Sequence, residues 1–127
     1  MFAQLLAYNN VGLFILRLAI GVIFLYHSWP KLKNSKMMSQ AMGMSSGRVL
    51  IIGAVELVCA LGMILGVYTQ LSALLLAVVM VGAIDYKITK WHFPFDAMDK
   101  IGWEFDLILL AANIAVLLGG GGSIGIQ

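Results

Sequence analysis

The stretch VGLFILRLAIGVIFLYHSW, Val11 to Trp29, carries a single charge, Arg17, in an otherwise apolar run. About 20 consecutive apolar residues are what a helix needs to cross the hydrocarbon core of a bilayer. The run is continuous rather than alternating, which fits a spanning helix and excludes a barrel strand, the other element whose backbone is satisfied in lipid. Pro30 follows at once and is read as the end of the helix, because proline supplies no N–H to the ladder.

Working outward, three more segments of this kind appear. The second runs from about Val49 to Val67 with Glu56 near its middle, and a tight turn around Tyr68 to Gln70 follows. The third runs from about Leu71 to Ile84 and extends into Asp85, Tyr86 and Lys87. The fourth runs from Trp103 to Leu118 and stops at the glycines Gly119 to Gly122. The Met-rich segment Lys31 to Gly47 reads equally as a short helix on the membrane surface or as a loop, and Ile88 to Gly102 reads as an interfacial loop. Composition agrees. Of 127 residues, 61% are hydrophobic and 11% charged, where a soluble domain carries about a quarter charged, and the mean hydropathy is +0.97. The expected fold is an all-α, four-transmembrane-helix bundle in one membrane domain, spanning at about residues 11–29, 49–67, 71–86 and 103–118.

The basic residues orient this bundle. Lys31, Lys33, Lys36, Arg48, Lys87, Lys90 and Lys100 all fall in or beside the first and third connections, and Arg17 is the one basic residue elsewhere. Positive charge is retained on the cytoplasmic side, so both termini are expected on the non-cytoplasmic side of the cell (inner or plasma) membrane. Trp29, Trp91 and Trp103 fall at the cytoplasmic boundary, where indole rings favour the headgroup level. Met1 to Asn10 carries no Lys or Arg, so the charged start of a signal peptide is missing and the first span is expected to be retained.

Ionisable residues at membrane depth are costly unless paired, and by default they mark function. Arg17 and Glu56 have opposite sign and are expected to pair or share a polar network. Arg17, Gly21, Phe24, Ser28 and Lys31 share one helical stripe with His27 beside it; Gly53, Glu56, Ala60 and Met63 share another; Asp106, Leu110, Asn113 and Leu117 a third. Glu56, Asp85, Glu104 and Asp106 outnumber the one intramembrane arginine, which leaves Lys31 and Lys87 to help neutralise them. The candidate ligand-binding residues are therefore Arg17, Glu56, His27, Glu104 and Asp85, with Asp106, Asn113 and Lys31 behind them as proton-relay or supporting groups.

Other chemistries find no pattern. No polybasic run or basic-aromatic interleaving suggests nucleic acid. Cys59 stands alone among apolar neighbours, and His27 and His92 lack a ligand spacing, so no metal site is expected. The glycine run lacks the lysine of a phosphate-binding loop. No intrinsic cofactor is expected.

LRLAIGVIFLYHSWPKL (Leu16 to Leu32), GAVELVCALGMILGVYTQLSALLLAVVM (Gly53 to Met80) and WEFDLILLAANIAVLLGGGGSIGI (from Trp103) together resemble the DoxX family, the ordered set Arg17, His27, Lys31, Glu56, Thr69 and Glu104 carrying the likeness. Ser28 and Trp29 stand where the family often has glycine after the histidine, and Gly119 to Gly122 replace a terminal Gly-Pro-Gly. The resemblance implies a four-helix inner-membrane protein. Some members resemble the small subunits of a thiosulfate:quinone oxidoreductase, and others are linked to redox or thiol-stress complexes or to detoxification of quinones and catechols. The expected function is a membrane subunit of a redox-linked system that binds a quinone-like or small organic molecule in an intrabundle polar pocket, with electrons from a soluble redox partner and possible homo- or hetero-oligomer formation. The alternatives are a non-catalytic scaffold with a dry, tightly packed interior, and, ranked last, a small proton-coupled transporter.

Overall fold

The computed structural model describes residues 2–96 and 98–125. All regular structure among them is helical. A short 3-10 turn, Ala3–Tyr8, leads into α1 (Asn9–Lys33), followed by α2 (Ser35–Met42), α3 (Ser46–Leu65), α4 (Thr69–Asp85), a π-helical turn (Tyr86–Lys90) and α5 (Trp103–Gly119). Among the described residues, three stretches are long and apolar enough to cross a membrane: residues 3–33, Ser46–Leu65 and residues 69–90. The 17 residues of α5 rise about 26 Å, at the short end of what the hydrocarbon core requires.

The first span differs from its expected boundary. Pro30 lies inside α1, and the helix continues to Lys33. Only one intrahelical bond is forfeited there. The last turn closes when the Asn34 N–H donates to the Pro30 carbonyl at 2.8 Å. The continuation places Lys31 on the helix rather than in a loop. Of the two readings of the Met-rich segment, the short helix forms, as α2, and Gly43 ends it in the left-handed region at φ 72°. Ser45 then caps α3, its hydroxyl oxygen accepting from the Arg48 N–H at 3.2 Å. The turn expected at Tyr68 to Gln70 falls slightly earlier, where Gly66 (φ 76°) ends α3 and Tyr68 (φ 49°) precedes α4. α5 stops where the glycine run suggested, with Gly120 at φ 77°.

The bundle buries polar residues beside an apolar core and is apolar outside. Arg17, Ser28, Glu56, Thr69, Ser72, Lys87, Asp106 and Asn113 are buried, while Ile15, Val58, Val78 and Ile108 are each more than half exposed. Large exposed apolar side chains on every long helix are unfavourable in water and suited to lipid. The buried apolar core of Ile20, Phe24, Met63, Leu76 and Val116 joins α1, α3, α4 and α5.

α1 packs on α3, α3 on α4 and α4 on α5. Two glycines set the antiparallel α1–α3 register. A Cβ at Gly21 would collide with Ile64 and lie 2.9 Å from the Ala60 carbonyl oxygen; one at Gly53 would lie 2.9 Å from the Lys31 Cβ. Small residues at such crossings let helix backbones approach closely in lipid. The same register places Arg17 beside Gly66, whereas Glu56 is level with α1 residues near Ser28. Eleven residues of helix, about 16 Å, separate the two levels.

Candidate functional site

The charges at membrane depth are matched differently from the expectation. Glu56 does not meet Arg17. It accepts from the Lys31 ammonium, Nζ to Oε1 2.5 Å, with the carboxylate side chain 1% exposed. The 16 Å offset is the reason, together with the continuation of α1 through Pro30. A helix ending at Trp29 would leave Lys31 no fixed position, whereas one turn more aims it across Gly53 at Glu56. Arg17 is also buried, at the opposite end of the bundle. Its guanidinium lies 5.4 Å from the Phe14 ring centre, and its Nε and Nη2 find no hydrogen-bond partner among the described residues.

A second ion pair lies near the first. Lys87 Nζ sits 2.6 Å from Asp106 Oδ2, with both side chains largely buried; this is a charge contact without good hydrogen-bond alignment. The π-helical turn places the lysine. Asp85 ends α4, the wider turn from Tyr86 to Lys90 follows, and Lys87 is its one buried residue. The Thr89 hydroxyl braces this turn by donating to the Asp85 carbonyl at 2.6 Å. Isolated π turns within helices are frequent at functional sites.

Both pairs line one cavity of about 540 Å³ bounded by α1, α3, α4, α5 and the Met42–Met44 segment. That volume falls within the range of small-molecule sites. His27 projects from α1 into the same wall, its ring 5.6 Å from that of Phe105, within electrostatic reach of Lys31, Lys87 and Asp106. The remaining wall is apolar and aromatic, including Phe24, Trp91, Phe93 and Phe105. Trp91 is held by its indole N–H, which donates to the Met42 carbonyl at 3.2 Å. Arg48 stands at the rim and donates to the Tyr86 hydroxyl at 3.2 Å.

Of the residues singled out in the sequence, Glu56, His27, Lys31 and Asp106 line this cavity, and Arg17, Glu104, Asp85 and Asn113 do not. Glu104 and Asp85 are exposed. Asn113 is buried deeper in α5, its amide donating to the Leu109 carbonyl at 2.8 Å. His92 is exposed and stands outside the cavity in a left-handed conformation, φ 53°. Lys87 emerges as a full partner in the site rather than a neutralising neighbour. Trp91, Phe93 and Arg48 were not among the candidates, because loop aromatics and a rim arginine read equally well as interfacial anchors. Among the described residues no group of three or more His, Cys, Asp or Glu is placed to hold a metal ion.

The family model named DoxX matches residues 12–93, well over half of the chain. The chain belongs to the DoxX family. The match takes in the Lys31–Glu56 pair, His27 and Lys87, and ends before α5 and Asp106. This DoxX protein is also 29% identical over 114 residues to a Bacillus subtilis (strain 168) protein named "Putative oxidoreductase CatD", the alignment covering 87% of this chain and 81% of that one. No solved structure matches it. Family and apolar helices together make it a multi-pass helical membrane protein in contact with lipid.

Proposed function

We propose that this protein is the membrane subunit of a redox-linked system and that its cavity binds a quinone-like molecule. One observation carries the reading: two lysine–carboxylate pairs and a histidine are set into the wall of a largely apolar, aromatic cavity of about 540 Å³, with Arg48 at its rim. Such a wall suits a flat ring with carbonyl oxygens on its edge. The Lys31 and Lys87 ammonium groups and an imidazole N–H of His27 are donors for a quinone oxygen, and the Glu56 and Asp106 carboxylates are acceptors for a quinol O–H. Trp91, Phe93 and Phe105 supply faces for the ring. The site is thereby centred on Glu56, His27, Lys31, Lys87 and Asp106. Arg17 is assigned to the opposite end of the bundle, and Glu104 and Asp85 to the surface. Reduction of a quinone takes two electrons and two protons. The side chains named can hold and pass the protons, and the electrons come from a redox protein docking on the same face. The name of the Bacillus relative is consistent with this class of chemistry.

In this reading α5 is a fourth span, with the lysine-bearing connections in the cytoplasm and both ends of the chain outside it. Every Lys and Arg but Arg17 lies in the first and third connections or at the helix ends beside them, on one side of the bundle, which supports this orientation. A scaffold with a dry, closed interior fits less well, because the cavity adjoins the charged groups instead of being filled by side chains.

The test is fluorescence of the purified protein in detergent. In a Trp29→Phe/Trp103→Phe background the remaining indole, Trp91, lines the cavity. Ubiquinone with a short isoprenoid tail is expected to quench it saturably, and Lys31→Met/Glu56→Met to weaken that binding at least tenfold. Quenching that is linear and unsaturable, or unchanged in the double variant, refutes the site.

A further inference from the structure

The hairpin of α3 and α4 is tight at one end and open at the other. Near the turn, a Cβ on Gly62 would lie 2.7 Å from the Ser72 Oγ and 2.9 Å from the Val67 carbonyl oxygen, so the two helices touch there. Further along α4, a Cβ on Gly82 would meet nothing within 4 Å. Gly82 is exposed on the outside of the bundle and also lines the cavity. Val78, one turn earlier on the same face, does the same with 61% of its surface exposed. Ile52 of α3, level with Gly82 across the hairpin, forms the opposite edge. At the far end the gap closes again, where Arg48 donates to the Tyr86 hydroxyl at 3.2 Å. From Ser72 to Tyr86 the rise is about 21 Å, and Val78 lies about 10 Å from the end of α4, well inside hydrocarbon depth.

We propose that the cavity opens sideways into the bilayer through this window between α3 and α4, and that its ligand is an amphiphile taken from the membrane phase: one small polar head and an apolar chain. The edges of the window, Ile52, Val78 and Gly82, carry no polar side chain, which suits a hydrocarbon chain and disfavours a hydrated solute. The head reaches the buried Lys31–Glu56 and Lys87–Asp106 pairs while the chain stays in the gap beside Gly82. The identity of the head as a quinone rests on the function proposed above; the window does not. An isoprenoid chain and the acyl chain of a bilayer lipid share the chemistry that fits the gap.

Two quinones with one head group test the window, ubiquinone with two isoprene units and its tail-less benzoquinone, each titrated against Trp91 fluorescence in the Trp29→Phe/Trp103→Phe background. The tailed form is expected to bind at least tenfold more tightly, and Gly82→Phe or Val78→Phe to bring the two affinities together while the melting temperature stays unchanged. Equal affinities in the parent protein, or a preference that survives both variants, overturn the window. A fall in tailed-quinone affinity as phospholipid is added to the micelles supports it, with an acyl chain as competing occupant. If neither quinone binds, the quinone reading fails and a second measurement decides the window. In a Cys59→Ala background, Met80→Cys introduces a thiol at a cavity-lining position that is 5% exposed. N-ethylmaleimide dissolved in the membrane is expected to label it, and Gly82→Phe to slow the labelling at least threefold. An unchanged rate overturns the window independently of any quinone.

Discussion

Replacing Lys31 by methionine removes the partner of Glu56 while keeping an unbranched side chain, and with it the contact of the Lys31 Cβ against Gly53. The carboxylate is 1% exposed, and its one ion pair among the described residues is with Lys31 at 2.5 Å. Breaking a buried pair from one side costs about 3–5 kcal/mol, because the remaining charge is left without compensation. At about 4 °C per kcal/mol for a chain of this length, Lys31→Met lowers Tm by roughly 12–20 °C. Glu56→Met alone costs less, since Lys31 is 13% exposed and its flexible stem can carry the ammonium toward the headgroups. The double variant Lys31→Met/Glu56→Met recovers most of the loss, because replacing both charges by apolar groups of similar volume is close to neutral. The assay follows Cys59, the single cysteine, which is 3% exposed. A thiol-reactive dye becomes fluorescent as heating uncovers it. Arg17 supplies the control. It sits some 16 Å from Glu56 along the bundle axis, so Arg17→Met and Glu56→Met should add within about 0.5 kcal/mol. Coupling between Arg17 and Glu56, or a Lys31→Met variant that melts with the parent protein, refutes the register argument.

Other outcomes follow from the same packing. Gly21→Leu forces a side chain into Ile64 and the Ala60 backbone and should cost about 1–3 kcal/mol or more by overpacking, whereas Gly82→Leu, facing open space, should leave the melting temperature of the same dye assay unchanged. A periplasmic-activity reporter fused after Gln127 should be active and one inserted between α2 and α3 inactive; the reverse pattern overturns the orientation. The expected orientation follows from the charge asymmetry; the last two residues lie outside the described ones.

The membrane class and the positions of the helices were legible because lipid imposes a one-dimensional signal: a run of apolar residues of fixed length, bounded by charge, glycine or aromatic anchors. Val11 to Trp29, Val49 to Val67 and Trp103 to Leu118 each fall almost wholly within a single helix of the structure. That opposite charges lie at membrane depth and call for partners was equally legible, since lipid offers none; Glu56 and Asp106 find theirs in lysines, whereas Arg17 is buried without an ion pair among the described residues and Asp85 and Glu104 are exposed. Which residues pair was not legible. Pro30 reads locally as a stop, yet near the end of a helix it forfeits a single hydrogen bond, and α1 runs on to carry Lys31. Arg17 and Glu56 look like partners by sign and approximate depth, but pairing depends on the register of two antiparallel helices, and a few residues of offset become many ångströms at 1.5 Å per residue. Two glycine contacts set that register, and they exist only once α1 and α3 have met. The Lys87–Asp106 pair likewise depends on a π turn and on the return of α5 across a polar segment with no periodicity. The sequence by itself determined the solvent, the helices and the presence of opposite charges within them; the tertiary structure alone decided which charges are buried, their partners and the cavity between them, because helix register and the separation of packed helices follow from side-chain shapes meeting across interfaces.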